Sequence, residues 1–554
     1  MKIALWMAVT LTGIAHGQDW AAIRTGAERT VLFRAAVPLA GFRPLALLES
    51  LPRLGPLRLG NVEVFASQTV GGGIEKNLGP GLTPDEMAVV KAALRKAGVK
   101  PVAYSVPAIP ADETAARALF QFAKDLGAEM IVSEAATASL PLVDKLAGEF
   151  SVKVALLNLA GPTEMRKALD GRSDRIGACA DLGQWSQAGV KPLDGLAALQ
   201  DRLMAVRLGS SIAGLKDFFL AIHRQKAKPA LYTFEPAASG DPIADLSAKL
   251  EAYEAALTPV MAEYVNELGR STAIRTLDAQ ARLTPEQKAD ARQKMNAAMP
   301  AQPQAKPRKP RKLLAIDLQV GYPGHPSIPY ANYVLEAFGK KTGAWETTLS
   351  NDLANFQYEK LRQYDAVFLN NTVGMLFPDP EVRASIVRFL KEGGGLAGYH
   401  ASTHASIDWP EFTEIIGASS GAHREATEKV TVKLDDPASP LNAAFGREEF
   451  ISIDEHFRWS NYSRQRVHVL LSIDVPKTDM NQGAGCAICT RADNDYAISW
   501  IRTYGKGRVF YTSLGHGPAA LMDPKIVGHM LAGLQYALGD LDADAAPGNR
   551  PAAQ

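Results

Sequence analysis

Short apolar runs alternate with helical patterns through the first half of the chain, and this alternation constrains the fold more than any other feature. Strand candidates lie near residues 30–36 and at 61–66, 99–107, 128–135, 152–159, 175–183, 203–210 and 229–236. Strands that alternate with crossover helices form parallel sheets, and eight of them favour a closed barrel. We therefore expect an α/β fold with a TIM-like (β/α)8 barrel over residues 28–275.

The second half of the chain repeats the alternation without the eightfold count. Strands are predicted for KLLAIDL, WETTLSN, YDAVFLNNT and the run after GGG, which start at residues 312, 345, 364 and 393. Helical patterns at 328–341, 357–363 and 380–391 separate them. This spacing predicts an open, doubly wound sheet, in which ligands bind beyond the carboxyl ends of the strands.

The two halves are separated by residues 276–311. A polar helix is predicted at 284–298, and PAQPQAKPRKPRK (300–312) follows with almost no apolar residue. Such a segment cannot bury a core of its own and is typical of an extended linker. The closing residues 541–554 have the composition of a disordered tail.

The first residues, MKIALWMAVTLTGIAHGQ, combine a lysine, an apolar run and small residues before Gln18. This pattern predicts a signal peptide over residues 1–17 and a periplasmic or secreted protein. No other apolar stretch reaches the ~18 residues of a membrane span. A formal net charge of +1 provides no basic field for nucleic acid. The sequence favours no particular oligomeric state.

Polar residues fall at the predicted carboxyl ends of the barrel strands, where barrel enzymes gather their chemistry. They are Glu63, Glu134, Asn158, Asp181, Gln184, Arg207 and Glu235. Carboxylates in this position suit a divalent metal that polarises a sugar carbonyl or hydroxyl. Separate structural ion pairs are the alternative.

Three of these motifs resemble the xylose-isomerase-like superfamily of sugar phosphate isomerases and epimerases: VSEA with Glu134, RIGACADLGQW with Asp181, and TFEP with Glu235. The resemblance implies that the three carboxylates bind a metal together with a histidine. Here Arg207 stands at the histidine's position, and Asn158 lies in a run that has lost the family's histidines. We therefore expect a metal-free barrel in which the Arg207 guanidinium pairs with the three carboxylates. Such a barrel is either a degenerate enzyme or one that binds sugar without a metal, with these five residues as the sugar contacts.

Eight of the ten histidines lie from His325 to His529. In GGGLAGYHASTHA, His400 occupies the strand-to-helix turn where folds of this shape place a nucleophile, and His404 follows one helical turn later. SGAHRE, SIDEHFRW and TSLGHG add the residues His423, Asp454, Glu455 and His516. Imidazoles that titrate near neutral pH suit acid–base catalysis. The same set could instead hold Zn²⁺ or another transition metal, or have a purely structural role.

These motifs, with GYPGHPSIP around His325, resemble the ThuA-like (trehalose utilisation) family over residues 312–540. The resemblance implies a flavodoxin-like sheet related to class I glutamine amidotransferases, and a role in carbohydrate utilisation. His400 stands where an amidotransferase has its cysteine, so glutaminase chemistry is not expected.

The sequence thus predicts a carbohydrate-processing enzyme that isomerises, eliminates from or hydrolyses a glycoside or keto-sugar, with a small-molecule carbohydrate as its partner. The predicted catalytic residues are His400, His423, Glu455 and His516. Substrate binding is assigned in this domain to His325, His404, Asp454 and Asn370. No metal ligand is assigned; a divalent metal is left open for the ThuA-like domain and is not expected in the barrel. The alternative is a non-catalytic sugar-binding protein.

Overall fold

The computed structural model describes residues 28, 30–134, 139–157, 161–209, 214–229, 231–237, 240–482 and 489–548. The predicted signal peptide and Asn158 lie outside these residues, and so does the side chain of Glu134. The chain forms two compact units that divide between Met261 and Ala262. Among the described residues, every helix is too short or too polar to cross a lipid bilayer.

The first unit contains a closed barrel of eight parallel strands, as the sequence predicted. A small hairpin, Thr69–Gly71 (β3) with Ile74–Asn77 (β4), stands apart from it. The barrel strands are Ala35–Pro38 (β1), Asn61–Phe65 (β2), Lys100–Val106 (β5), Met130–Glu134 (β6), Lys153–Leu157 (β7), Ile176–Asp181 (β8), Leu203–Arg207 (β9) and Leu231–Thr233 (β10). Their order around the barrel is β1-β10-β9-β8-β7-β6-β5-β2. Small and apolar side chains such as Ala103, Ala155 and Ala205 form the buried core among these strands.

Helices follow the strands and begin and end where local chemistry requires. Thr83 caps one of them: its hydroxyl accepts from Glu86 N at 3.3 Å, and the Glu86 carboxylate accepts from Thr83 N at 2.7 Å. That helix ends at Gly98, whose φ of +69° suits glycine. The helices of this part are Leu47–Ser50, Pro84–Ala97, Glu113–Leu126, Leu140–Phe150, Pro162–Leu169, Leu182–Gln187, Pro192–Leu199, Leu215–Arg224 and Pro242–Ser271, the last of which contains the division between the units.

The second unit is built on a nine-stranded sheet of order β12-β11-β13-β15-β23-β22-β21-β18-β19. Its strands are Lys312–Ile316 (β11), Glu346–Leu349 (β12), Ala366–Asn370 (β13), Gly395–Tyr399 (β15), Glu428–Leu434 (β18), Phe450–Asp454 (β19), His468–Ile473 (β21), Ala497–Tyr504 (β22) and Gly507–Thr512 (β23). Short pairs lie outside it: Val373–Gly374 (β14) with His404–Ala405 (β16), and Ser420–His423 (β17) with Phe457–Trp459 (β20).

The sheet has a parallel half and an antiparallel half. From β12 to β23 neighbouring strands are parallel, which is the predicted flavodoxin-like arrangement. From β23 to β19 they are antiparallel. The helices are Pro285–Ala298, Ile328–Thr342, Tyr358–Leu361, Pro380–Lys391, Pro410–Ile416 and Pro524–Leu538. The α/β fold class predicted for both halves is therefore confirmed.

Two segments that the sequence assigned to a linker and a tail make contacts in this unit. Gln304 N donates to Gln535 Oε1 at 2.8 Å, and Arg311 Nη2 lies 2.7 Å from Asp540 Oδ1. In the segment predicted to be a tail, the carbonyl of Ala546 lies 2.9 Å from His468 Nδ1. The predicted domain boundaries stay predictions.

Candidate functional site

His400 lies immediately beyond β15, at the first residue of a 3-10 turn, His400–Thr403. Its φ is +46°, in the left-handed region that residues other than glycine rarely adopt. The Tyr511 hydroxyl donates to the His400 carbonyl at 2.6 Å and helps to hold this conformation. Such backbone conformations persist where the surrounding structure fixes them and are frequent at functional sites.

The His400 ring is fully buried, and its hydrogen bonding fixes its tautomer. Nδ1 lies 2.7 Å from the carbonyl oxygen of Ser513. Because a carbonyl can only accept, Nδ1 carries the hydrogen and Nε2 presents a lone pair. Burial lowers the pKa of His400 well below its ordinary value, so the ring is neutral. Among the described residues, Nε2 has no hydrogen-bond partner.

Glu455 follows β19 and faces three imidazoles. Its Oε1 lies 3.7 Å from His400 Nε2, and its Oε2 lies 3.5 Å from His423 Nδ1 and 3.6 Å from His516 Nε2. These separations exceed those of ordinary hydrogen bonds. The side chain is 12% exposed, and its burial raises the pKa of the carboxyl, against the opposing effect of His423 and His516.

Two more predicted histidines lie in the same cluster. The His325 ring centroid is 4.9 Å from that of His400 and 5.4 Å from that of His516. Burial, followed by the neighbouring imidazoles, lowers the pKa of His325 to about 3. Burial lowers the pKa of His404 to about 4. The structure therefore gathers five histidines and one carboxylate, namely His325, His400, His404, His423, His516 and Glu455.

The side chains of two predicted substrate-binding residues form hydrogen bonds to backbone groups of the protein. Asp454 Oδ2 accepts from the backbone N–H of Gly515 at 2.8 Å, and Asp454 Oδ1 accepts from that of Glu455 at 2.9 Å. Asn370 is fully buried, and its Nδ2 donates to the Ile328 carbonyl at 3.0 Å. Asp454 thus positions the loops that carry Glu455 and His516, and Asn370 braces the end of β13.

Sequence reasoning missed Phe457, Tyr322 and the carbonyl of Ser513. The Phe457 ring is buried, with centroids 4.8 Å from His400, 5.2 Å from His404 and 5.7 Å from His423. Tyr322 is 42% exposed and packs against His325 at 5.1 Å. Both aromatic residues stand within the quoted motifs, so their proximity to predicted histidines was an available signal. A backbone carbonyl carries no such signal.

In the barrel, the Arg207 guanidinium pairs with Glu63, a carboxylate that our hypothesis did not include among its partners. The Glu134 side chain lies outside the described residues, so its pairing with Arg207 stays a prediction. Arg207 Nη2 donates to Glu63 Oε1 at 2.6 Å and to Ser105 Oγ at 3.2 Å, and the Ser105 hydroxyl donates to the same Glu63 oxygen. Both charged side chains are largely buried. The cation of this site is supplied by the chain itself.

The structure gives Asp181 and Glu235 surroundings that differ from those of the Arg207–Glu63 pair. The Asp181 carboxylate accepts from Gln184 N at 2.9 Å and caps the following helix. Burial raises the pKa of Glu235, while the charge of Arg207 acts to lower it. Among the described side chains, the carboxylates of Glu63, Asp181 and Glu235 join no three-ligand group that could hold a metal.

Comparisons with known proteins agree with the motifs of the second half. The profile of the family described as "ThuA: Trehalose utilisation" matches residues 312–537. Among curated proteins, none matches this chain.

Solved structures resemble parts of the chain. An uncharacterised protein from Parabacteroides distasonis shares 27% identity over 40% of this chain and 97% of its own, with a TM-score of 0.36. A ThuA-like protein from Bacteroides uniformis shares 22% sequence identity over 41% of this chain and 93% of its own, with a TM-score of 0.34. The 3-keto-D-glucoside 4-epimerase of E. coli shares 13% sequence identity over 42% of this chain and 99% of its own, with a TM-score of 0.32. TM-scores this low carry no argument about activity. Residues 312–537 thus match the ThuA family, as the motifs predicted, and the residues before them form an eight-stranded parallel barrel.

Proposed function

We propose that the second unit is a carbohydrate-processing enzyme that acts on a glycoside or keto-sugar by acid–base chemistry. The observation that carries this proposal is the Glu455 carboxylate, which lies 3.5–3.7 Å from three imidazole nitrogens without a hydrogen bond to any of them. A carboxyl whose pKa is raised by burial, set among imidazoles, is typical of a functional site, and the imidazoles suit proton exchange with a substrate.

The reaction that suits these groups is proton transfer at a carbon next to a carbonyl. One group removes the proton, and the electron pair moves into the carbonyl to give an enolate. Return of a proton to the opposite face of the same carbon completes an isomerisation by epimerisation. In an elimination, the enolate electrons re-form the carbonyl, a C=C bond forms, and the leaving group departs from the next carbon with the electrons of its bond. His423 and His516, with 45% and 26% of their side chains exposed, are the imidazoles that a substrate reaches from solvent.

The proposed substrate class rests on the family description, trehalose utilisation, and on the aromatic residues of the site. The exposed ring of Tyr322 stands beside His325, where it offers a face on which a pyranose ring can stack. Phe457 forms an apolar wall behind the imidazoles and limits their contact with water. In this proposal the barrel contributes sugar binding or a second step.

The proposal includes export. The apolar N-terminal run is typical of a signal peptide, and it precedes a protein in which Cys489 is disulfide-bonded while Cys179 is free. Disulfides persist in oxidising compartments such as the bacterial periplasm.

The test is a thermal-shift screen of the purified protein with mono-, di- and 3-keto-sugars, followed by product analysis on the best ligand. We expect turnover in the wild type and none in Glu455→Gln. The matched control is Glu449→Gln, which removes an exposed carboxylate paired with Lys477. Binding without turnover would contradict the proposal and favour a sugar-binding protein without catalysis.

A further inference from the structure

We propose that His325, Glu455 and His516 form a binding site for one divalent transition-metal ion, for which Zn²⁺ is the best match. This inference rests on the proposed function, because the ion would act as the electrophile in the reaction proposed for the same site. Two imidazoles and one carboxylate form a ligand set found in catalytic zinc centres, which keep a further position open for water or substrate. These three side chains belong to three separate loops of the second unit.

The spacing of the ligand atoms supports the ion. One ligand atom from each of the three residues lies within 4.8 Å of the other two. His516 Nε2 and Glu455 Oε2 are 3.6 Å apart, too far for a good hydrogen bond. Metal–ligand bonds of about 2.1 Å in a tetrahedron place neighbouring ligand atoms about 3.4 Å apart. The observed gap therefore suits two ligands of one ion better than a direct contact.

A second, independent observation comes from His400. Its ring is fully buried, and its Nε2 has no hydrogen-bond partner among the described residues. The Ser513 carbonyl holds the hydrogen on Nδ1, so the Nε2 lone pair faces Glu455 Oε1 at 3.7 Å. Two acceptors that face each other in a buried site repel unless a positive charge lies nearby. A cation on Glu455 removes that conflict.

The loops that carry the three ligands are tied together by hydrogen bonds. Asp454 accepts from the backbone N–H groups of Glu455 and Gly515, next to His516. The Ser327 hydroxyl, two residues after His325, donates to the Gly515 carbonyl at 2.6 Å. Partners of this kind orient the groups that bind a metal and are part of how such sites are built.

The ion would polarise the carbonyl of a keto-sugar and stabilise the negative charge that develops on its oxygen. With Glu455 as a ligand, proton transfer falls to His423, which stays outside the ligand set and is the most exposed imidazole of the cluster.

The test measures bound metal on the full chain. The protein is stripped with EDTA, and Zn²⁺ is returned and counted by mass spectrometry after gel filtration; Co²⁺ replaces it for visible absorption spectra. We expect about one ion per chain, and at least a tenfold loss in both Glu455→Gln and His516→Ala. The control His468→Ala removes an imidazole bound to Ala546 and Asp436, and should retain the ion.

Fewer than about 0.1 ion per wild-type chain, or unchanged metal content in the two ligand variants, would overturn the inference. Thermal unfolding of each variant shows whether a loss of metal reflects a loss of fold. A variant that unfolds is replaced by His516→Gln, which keeps much of the side-chain volume. Turnover by metal-free protein would overturn the role of the ion as the electrophile and leave the proposed function intact. A bound ion without turnover of any sugar would support the metal site and contradict the proposed function.

Discussion

The barrel and the histidine cluster of the second unit both bury a carboxylate, but they surround it with different groups. In the barrel, Arg207 donates to Glu63 at 2.6 Å, and Ser105 completes the contact. In the second unit, Glu455 faces imidazole nitrogens at 3.5–3.7 Å, and the nearest fully buried ring, His400, is neutral. The first site places a guanidinium against its carboxylate, whereas the second surrounds its carboxylate with imidazoles.

This difference separates a structural role from a reactive one. A buried ion pair with good geometry holds its partners in place, and breaking it is costly. A buried carboxyl without a fixed cation costs stability but is available to a substrate or an ion. In our proposal, the same residue type serves the fold at Glu63 and the chemistry at Glu455.

The largest expected effect is on turnover. Glu455→Gln keeps the shape of the side chain and removes its charge, so we expect a loss of about 10²–10⁴-fold in kcat/KM on the sugar that the product screen identifies. Steady-state kinetics checks this, with Glu449→Gln as the control. Activity of Glu455→Gln within threefold of the wild type would contradict a catalytic role for Glu455 and so the proposed difference from Glu63.

The barrel pair should respond in stability. Arg207→Met leaves the largely buried Glu63 without its cation, and we expect the free energy of unfolding to fall by about 3–5 kcal/mol. Urea denaturation followed by fluorescence and circular dichroism measures it. The double variant Arg207→Met with Glu63→Gln should recover part of the loss. A fall below about 1 kcal/mol would show that the pair is not structural.

A substitution at Gly515 tests whether the backbone next to His516 holds the histidine cluster in place. Its φ is +140°, and a Cβ there would collide with the Tyr399 hydroxyl. Gly515→Ala should therefore destabilise the protein by about 1–3 kcal/mol and displace His516, lowering turnover. Gly517→Ala, with open space around the new Cβ, is the matched control and should leave unfolding and kinetics unchanged. Equal effects of the two substitutions would contradict the account.

The smallest effect concerns pH. Burial lowers the pKa of His529 to about 4, from its ordinary 6.5. Between these values the unfolded chain binds more protons, so stability falls as the pH drops, by up to about 1.4 kcal/mol per pH unit for each such group. Urea unfolding of the wild type and His529→Gln at pH 7, 6 and 5 checks this. We expect a shallower fall in the variant, and parallel curves would refute the assignment.

The strands and their polar ends could be predicted from the sequence, but their pairing could not. The apolar runs predicted β2 to within one residue and the start of β9, which ends three residues earlier than expected. Arg207 is the last residue of β9, as predicted, whereas Glu63 is the third of the five residues of β2. Their contact joins strands separated by β1 and β10 around the barrel. Neither spacing nor family resemblance states which side chains meet across a barrel.

In the second unit, the motifs located the cluster but not the role of each member. Asp454 and Glu455 are adjacent in the chain, yet one binds backbone N–H groups and the other faces the imidazoles. Successive residues at the end of a strand point in opposite directions, and the sequence alone did not show which of them faced the site. The tautomer of His400 depends on the Ser513 carbonyl, which no side-chain pattern encodes.

The most direct test of the central claim is the free energy of unfolding of Glu455→Gln in metal-free protein at pH 7. If Glu455 lacks an internal cation, the substitution leaves the free energy of unfolding unchanged within about 0.5 kcal/mol or raises it. A fall of about 3 kcal/mol or more would show that Glu455 is ion-paired within the fold, as Glu63 is, and would contradict the account.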